Sequence, residues 1–430
     1  MIRNGAAVRA PHRKEPLFAL LWLLVAFGTS LVGLAFGRNR LDSFRIPKQS
    51  LYQAEAIVCL ALLLILLLWR RREVIAALRT HRLTLGIVAA AVLWTALSSL
   101  TSTNRTLSMP AMLWVASCAT VFVATLLVAC RGKGLAMLWL PLLAAFVNAV
   151  IVVGQRAGWS PTVFSAQIEE RYRVSGLIGN ANDVGVYFFF CTIAAVALAL
   201  AYRGRKTLYN VLALSLFAAL LACQTVSALI AFACAALLLI VLFTGRVKSG
   251  AAFVAAGIVL VLIVSPLRHR AAAIGQDLRA GSFTAATSLR LPAYAVAWRL
   301  FLDHPIVGAG PGTYGWWYLP YKLRLDGAYP TFHLSTENFG EAHNDHLQTL
   351  AVSGLPGYVI FAAALVSLGA LSFRKTEAND ARSRFARLLA LPLAGGFAVV
   401  ALAQFPLEIA SASSVAIHYA ALCCAWAARE

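Results

Sequence analysis

The sequence predicts an all-α, polytopic membrane protein with about twelve transmembrane helices. Hydrophobic residues make up 60% of the 430 residues, charged residues make up only 13%, and the mean hydropathy is +0.77. A soluble domain of this length could not bury so much apolar surface, because too many of its residues face water. Apolar runs long enough to cross a hydrocarbon core also recur along the whole chain.

Twelve apolar segments are the candidates for these spans. The first follows a basic start that resembles a signal peptide, but it is long, lacks a small-residue cleavage pattern and precedes further spans. We therefore expect it to be retained as a helix. The twelve segments lie at about residues 17–36, 54–69, 83–100, 110–130, 135–153, 184–202, 207–223, 226–243, 251–265, 347–371, 388–404 and 407–426.

An even number of spans places both termini on one side of the membrane, and the basic residues indicate which side. Most of the 37 lysines and arginines fall in short segments that are inside if the N-terminus is inside, as the positive-inside rule requires. The acidic residues are concentrated on the other side. We therefore expect cytoplasmic termini and an outer face that carries the longer polar connections.

The chain divides into three parts on this interpretation. Residues 1–265 hold spans one to nine, with an outer connection at 154–183, and residues 266–346 form one large outer loop. Residues 347–430 hold the last three spans. A structureless loop of that length is uncommon in a compact protein, so we expect short helices within it.

Composition also narrows the class of partner. The net charge of +20 does not indicate nucleic acid, because the basic residues are scattered between spans; it indicates topology signals, membrane lipids and something anionic at the membrane. The eight cysteines lie in apolar runs and fit small buried hydrophobes better than disulfides or zinc ligands. The spans hold almost no ionisable groups, which argues against a transporter.

The connection at 154–183 contains the stretch RYRVSGLIGNANDVG. Arg171 and Arg173 precede a helix that Asn180, Asn182 or Asp183 could cap. A helix N-terminus beside arginines favours an anion. For the segment taken alone, a basic loop followed by a turn and a cap is the favoured interpretation.

The large outer loop contains SLRLPAYAVAWRLFLDHP, which has a helical apolar period. We expect a membrane-surface amphipathic helix that carries Arg290 and Arg299. Its apolar face is predicted to consist of Leu291, Tyr294, Ala295, Trp298 and Leu302. The GAGPGTY stretch that follows lacks the Lys-Ser/Thr of a P-loop, so we expect a tight turn.

Aromatic residues are dense after that turn. They could form an interfacial belt, or they could be platforms against which sugar rings or a lipid carrier pack; both could hold. The set consists of Tyr314, Trp316, Trp317, Tyr318, Tyr321, Tyr329 and Phe332.

EAHNDHLQTLAVSGLPG, residues 341–357, opens the tenth span. Asn344 or Asp345 could cap this helix, with His343 and His346 in its polar first turn. Two histidines at this spacing could share a metal, but no third ligand is evident, so we predict no metal site. A histidine has an unperturbed pKa of about 6.5 and would suit general-base work in a water-accessible outer cavity. A capped interfacial turn is the alternative interpretation.

Four stretches now stand in a recognisable order. RVSGLIGNANDVG is followed by the Arg290 segment with DHPIVGAGPGTY, then by AHNDHLQTLAVSGLPG and by QFPLE before the last span. Together they resemble the O-antigen ligase and O-antigen polymerase superfamily of bacterial envelope glycosyltransferases. The resemblance covers most of residues 150–410 and agrees with the twelve-span layout.

The resemblance implies a GT-C-like, metal-independent glycosyltransferase of the bacterial inner membrane, with no cofactor and with its catalytic loop in the periplasm. The donor would be an O-antigen glycan on undecaprenyl diphosphate, and a ligase would transfer it to lipid A-core. The ligase signature is His, then Asn, Ser or Gln, nine residues, and Gly-x-x-Gly-Thr-Thr. His343, Asn344, Gly354 and Gly357 match it. Tyr358 and Val359 replace the two threonines.

The resemblance also suggests roles for individual residues. His343 would accept the proton of an acceptor hydroxyl during inverting transfer, while Arg173 and Arg290 would bind the diphosphate. Further substrate contacts would come from Asn180, Arg299, Asn344, Tyr314, Trp316 and Trp317. A polymerase with a second lipid-linked glycan as acceptor is the main alternative, ahead of a protein O-oligosaccharyltransferase or a glycan flippase.

Overall fold

The structure is a computed structural model, and the residues it describes are helical or lie in turns between helices, with no strand among them. The all-α prediction is therefore confirmed. The described residues are 16–37, 42–132, 135–159, 174–202, 204–246, 248, 252, 265–328, 338–374 and 380–427.

The described part of the chain contains sixteen α-helices. Ten apolar segments within them are long enough to cross a membrane, and α1 is a shorter apolar helix. With α1 they account for eleven of the twelve expected spans; the ninth, at 251–265, falls almost entirely outside the described residues. The helices are α1 Pro16–Val32, α2 Arg45–Trp69, α3 Arg71–Leu78, α4 Arg82–Leu100, α5 Arg105–Cys130, α6 Leu135–Arg156, α7 Ala181–Ala201, α8 Lys206–Cys223, α9 Val226–Thr244, α10 Ser265–Arg279, α11 Phe283–Ala286, α12 Leu291–Asp303, α13 Tyr314–Ala328, α14 Asp345–Ala370, α15 Ala381–Val400 and α16 Ala410–Ala427.

Helix α7 lies at the centre of the bundle. It is apolar on every side, and a helix of that kind is stable only when other helices surround it. The consecutive rings of Phe188, Phe189 and Phe190 are fully buried. Helices α8, α9, α15 and α16 pack around it, so the N-terminal turn of α7 is held at a fixed place near one end of the bundle.

The long connection between α9 and α14 contains the expected short helices. Helix α12 confirms the predicted helix, and the face that it packs into the protein differs from the apolar face predicted to lie on the membrane surface. Trp298 and Leu302 are each 48% exposed, whereas the buried face, which packs toward α14, consists of Pro292, Ala293, Val296, Ala297 and Leu300. Small side chains on that face let two helices approach closely, so the bulky side chains point outward.

Two glycines lock this connection onto α14. Gly354 interrupts α14 with φ +68°, and a Cβ there would lie 2.0 Å from the carbonyl oxygen of Ile306. Gly308 also has positive φ, and its Cβ would lie 2.2 Å from the carbonyl carbon of Val352. Only glycine fits such a close backbone approach. The GAGPGTY stretch is therefore a turn, as predicted, and its close contact depends on a glycine of the 341–357 motif.

Candidate active site

A cavity of about 870 Å³ lies where α7 and α9 begin and α8 and α15 end. We call this end of the bundle the site end. Among the described residues that line the cavity there is no aspartate or glutamate, so its charged groups favour an anion. Its polar lining includes Arg156, Asn182, Ser227, His269, Arg290 and Gln404.

Arg290 lies at the N-terminus of α12, half-buried in the wall of the cavity. Its Nη1 atom donates a hydrogen bond to the carbonyl oxygen of Ala403 over 2.5 Å. Burial raises the pKa of the neighbouring Tyr294 hydroxyl, and the positive charge of Arg290 opposes that rise. Ser288 and Leu289, which lead into the helix, both have left-handed backbones. The turn that presents Arg290 is therefore strained, which is common at functional sites.

His343 is the residue before the N-cap of α14, and its own φ is +51°. Its ring packs edge to face against Phe405 at 4.7 Å between centroids and against Phe339 at 5.3 Å. Its Nδ1 atom is buried with no hydrogen-bond partner in the described residues. Burial, with the positive charges of Arg290 and Arg45 adding to it, lowers the pKa of His343 to about 3. The imidazole is therefore unprotonated at neutral pH and able to accept a proton.

The backbone around His343 is held by hydrogen bonds from both sides. The Asn344 side chain accepts from the Leu347 amide over 3.0 Å, which makes it the N-cap of α14. The Asp345 carboxylate accepts from the Leu407 amide over 2.9 Å. These bonds fix the first turn of α14 against the connection between α15 and α16.

That connection, residues 401–409, contains the QFPLE motif and joins the parts of the site. Gln404 donates from Nε2 to the Ser227 hydroxyl over 2.9 Å. Ala403 and Phe405 on either side of it contact Arg290 and His343 respectively. The general-base candidate and one diphosphate candidate are thus brought to the same short segment.

A polar cluster around Arg45, which the sequence did not indicate, lies next to Phe405. The Arg45 guanidinium is 5.2 Å from the centre of the Phe405 ring. It forms an ion pair with Glu341 at 2.8 Å and a longer one with Asp183 at 3.7 Å. The cluster borders a small cavity of about 130 Å³, which Glu408 also lines. A second fixed positive charge therefore stands near His343.

Residues 211–362 match the family model described as O-Antigen ligase. This match supports the O-antigen ligase superfamily. No curated protein matches the chain. The matched segment includes Ser227, Arg290 and His343, whereas Arg45 and the QFPLE motif lie outside it.

The glycines of the O-antigen ligase signature have structural reasons in this chain. Gly354 admits the turn after α12, as described above. A Cβ at Gly357 would lie 3.0 Å from the indole nitrogen of Trp94, which donates to the Ser353 carbonyl over 2.8 Å. These glycines therefore let α14 pack closely against the turn after α12 and against α4.

Tyr358, which replaces the first signature threonine, contacts His346. Its hydroxyl donates to Nδ1 of His346 over 3.3 Å, and Nε2 of His346 donates to the Ala398 carbonyl over 2.9 Å. Both ring nitrogens are used, so His346 ties α14 to α15 and is not presented to the cavity. Among the described residues, no three His, Cys, Asp or Glu side chains form a group that could hold a metal ion.

The other predicted substrate contacts do not all lie at the cavity. Asn180 caps α7 beside the cavity and accepts from the Asn182 amide over 2.8 Å. Arg299 forms an ion pair with Asp303 at 3.1 Å and is not among the residues that line the cavity. Arg173 lies outside the described residues, and so do Arg171, Tyr329 and Phe332.

Three aromatic residues of α13 have three different environments. Tyr314 is buried, and its hydroxyl donates to the Ala293 carbonyl over 2.8 Å. Trp317 donates from its indole nitrogen to the Thr103 hydroxyl over 2.8 Å. Of the three, Trp316 presents the most open ring, with 61% of its surface exposed. Only that ring is placed to serve as an open platform.

The structure adds cavity residues that the sequence did not single out. Arg156 ends α6, and His269 lies on α10, which follows a segment read as a span. Gln404 is the first residue of the QFPLE motif. The motif indicated that this segment belongs to the site, but it did not indicate the hydrogen bond from Gln404 to Ser227. No short-range pattern marks Arg156, because its partners in the cavity come from distant helices.

Proposed function

We propose that this protein is an O-antigen ligase. It would transfer an O-antigen glycan from undecaprenyl diphosphate to lipid A-core at the periplasmic face of the inner membrane, with inversion at the anomeric carbon. The proposal rests on one observation above all. Arg290 and His343 each contact the segment 403–405. Arg290 also lines a cavity whose described lining residues include no acid, whereas His343 lies outside that lining.

The cavity suits a phosphate-linked sugar. Its volume of about 870 Å³ falls within the range of roughly 300–1,000 Å³ that small-molecule sites occupy. An arginine fork binds phosphate oxygens through paired hydrogen bonds and stays charged at every relevant pH. Arg290 would hold the diphosphate, with Arg156, which also lines the cavity, and Arg173 as further candidates.

His343 would act as the general base. The acceptor hydroxyl oxygen attacks the anomeric carbon, its proton passes to the imidazole, and the bond from that carbon to the diphosphate oxygen breaks. The leaving group carries the bonding electron pair away as negative charge. Positive side chains aimed at that charge stabilise the transition state, which is the role we assign to Arg290.

Donor binding would also make His343 a better base. In the free protein, burial depresses the pKa of His343, and the positive charges of Arg290 and Arg45 depress it further. A diphosphate on Arg290 would cancel part of that positive charge and raise the pKa of the imidazole toward its ordinary value. A base near the working pH transfers protons more effectively than one near 3.

A polymerase is the second candidate, and one observation favours it. Tyr358 and Val359 stand where the ligase signature has two threonines, and Tyr358 is engaged with His346. A polymerase would use the same donor with a second lipid-linked glycan as acceptor. A protein acceptor would need a polypeptide groove, and a flippase would need a continuous hydrophilic path between helices.

Deletion of the gene separates these activities on a gel of lipopolysaccharide. Loss of a ligase leaves long O-antigen on the carrier and none on the core, whereas loss of a polymerase leaves core capped by a single repeat. We expect the ligase pattern, and complementation by wild type but not by His343→Ala. A single-repeat pattern would overturn the ligase proposal in favour of the polymerase.

A further inference from the structure

A second cavity, of about 700 Å³, lies at the end of the bundle opposite the site end. It is formed where α7 and α9 end and where α8 and α15 begin. It shares no lining residue with the Arg290 cavity. The proposed glycosyl transfer gives it no role.

Its polar side is cationic. Arg384 and Arg387 lie one turn apart on α15, and Lys206 is the first residue of α8. Among the described residues that line this cavity, none is acidic. The Nε atom of Arg387 is buried and has no hydrogen-bond partner in the described part of the chain. A buried guanidinium nitrogen without an acceptor is costly, so a bound anion would stabilise it.

Its other side is apolar and partly exposed. Leu200, Leu242 and Leu388 line it together with Phe243, whose ring is 53% exposed. In a membrane, exposed apolar side chains at a helix end contact acyl chains. The cavity therefore combines a cationic recess with an apolar mouth, which is the pattern of a lipid headgroup between transmembrane helices.

The backbone beneath the recess is fixed. The Ser372 hydroxyl donates to the Arg387 carbonyl over 2.6 Å and accepts from the Leu391 amide over 2.9 Å. This bridge joins the end of α14 to α15. The backbone that carries the arginines is therefore already ordered before an anion binds, so no backbone ordering opposes binding.

We propose that this cavity binds the phosphodiester headgroup of an anionic diacyl phospholipid. Arg384, Arg387 and Lys206 would contact the phosphodiester, and the acyl chains would pass over Phe243. The ligand would hold α8, α9 and α15 together at the end of the bundle away from the chemistry. A zwitterionic lipid would bind less well, because its ammonium group brings positive charge toward the arginines.

The test uses full-length protein in a neutral detergent and counts bound lipids by native mass spectrometry. Phosphatidylglycerol and phosphatidylethanolamine with the same acyl chains are supplied at equal concentration. We expect wild type to retain at least about tenfold more phosphatidylglycerol, and Arg384→Gln/Arg387→Gln to lose that preference. Lys206→Gln, at an exposed position, should lower it several-fold and serves if the double variant does not fold.

Two controls make the result specific. Arg71→Gln/Arg72→Gln removes the same charge from exposed positions at the same end of the bundle and should leave the preference unchanged. Glycerol phosphate at the lipid concentration should not displace the lipid. The proposal is overturned if wild type shows no preference, if neither cavity variant changes it, if the Arg71/Arg72 variant loses it equally, or if glycerol phosphate competes, which would indicate a soluble phosphate ligand.

Discussion

Arg290 and His343 contact the same three-residue segment, although 53 positions separate them in the sequence. Arg290 donates to the carbonyl of Ala403, and His343 packs against the ring of Phe405. A ligand that moves one of these side chains would therefore act on the backbone that supports the other. This shared support gives the site its clearest test by substitution.

We expect Arg290→Gln to reduce transfer by roughly 10²–10³-fold, as removal of one stabilising donor does in other active sites. Arg290→Lys should recover only part of the loss, because lysine keeps the charge but not the paired hydrogen bonds. The matched control is Arg299→Gln on the same helix, which breaks an exposed ion pair with Asp303. Transfer rates measured with purified protein would contradict the assignment if both glutamine variants lost activity equally.

His343→Ala should lower turnover by roughly 10²–10⁴-fold, the usual contribution of a positioned base. His343→Gly gives a second test, because glycine adopts the left-handed backbone at this position without strain. Both variants should melt near the wild-type temperature. Wild-type turnover in either folded variant would exclude His343 as the base.

His346→Ala should behave in the opposite way. This histidine uses both ring nitrogens to join Tyr358 and Ala398, so its loss should lower stability by about 1–3 kcal/mol. Activity per folded molecule should remain close to wild type. Thermal melting in detergent, measured beside turnover, separates the two histidines.

The sequence predicted most of the fold because transmembrane helices are specified by long apolar runs, which are visible locally. Helix α2 is an exception, because it begins before its apolar run. Its span was expected to begin at residue 54, but the helix begins at Arg45. Arg45, Lys48 and Gln49 resemble loop residues in the sequence, yet they line the small polar cavity. A polar face that points into protein cannot be distinguished from a loop by hydropathy.

The site was predictable only where a motif marked it. His343 and Arg290 were found through ordered motifs, whereas Arg45 pairs with Glu341 across 296 positions. The buried face of α12 was missed because both of its faces are apolar. Hydrophobic periodicity does not show which of two apolar faces packs into the protein. In the structure, the face with small side chains is buried because α14 approaches it closely.

The pH dependence of transfer should differ between the free and donor-bound protein. The pKa of His343 is lowered to about 3, so the base is unprotonated above that pH. We expect kcat/KM, which reports the free protein, to show no acidic limb from His343 between pH 5 and 8. The acidic limb of kcat should lie higher, because bound diphosphate opposes the charge of Arg290.

Rates measured across that range and also below pH 5 test both expectations. Arg45→Gln should move the acidic limb of kcat/KM upward, because it removes a cation that contributes to the low pKa of His343. A limb of kcat/KM near 6.5 in wild type, absent from His343→Gln, would contradict the depressed pKa.

Gly354→Ala should destabilise the protein by about 2–3 kcal/mol or more, because the new Cβ meets the Ile306 carbonyl in a backbone conformation that only glycine favours. The matched control is Gly86→Ala within α4, where an added Cβ has no heavy atom within 4 Å. That control should gain up to about 1 kcal/mol from helix propensity. Thermal melting of both variants in the same detergent gives the comparison.

Gly354→Ala should also lower the transfer activity. Gly354 lets the turn after α12 lie against α14, and these two helices carry Arg290 at one N-terminus and His343 ahead of the other. If the alanine variant folds, the two helices must separate locally, so transfer should fall more than the folded fraction does. A variant that melts like wild type with full activity would show that the close contact at Ile306 does not position the site.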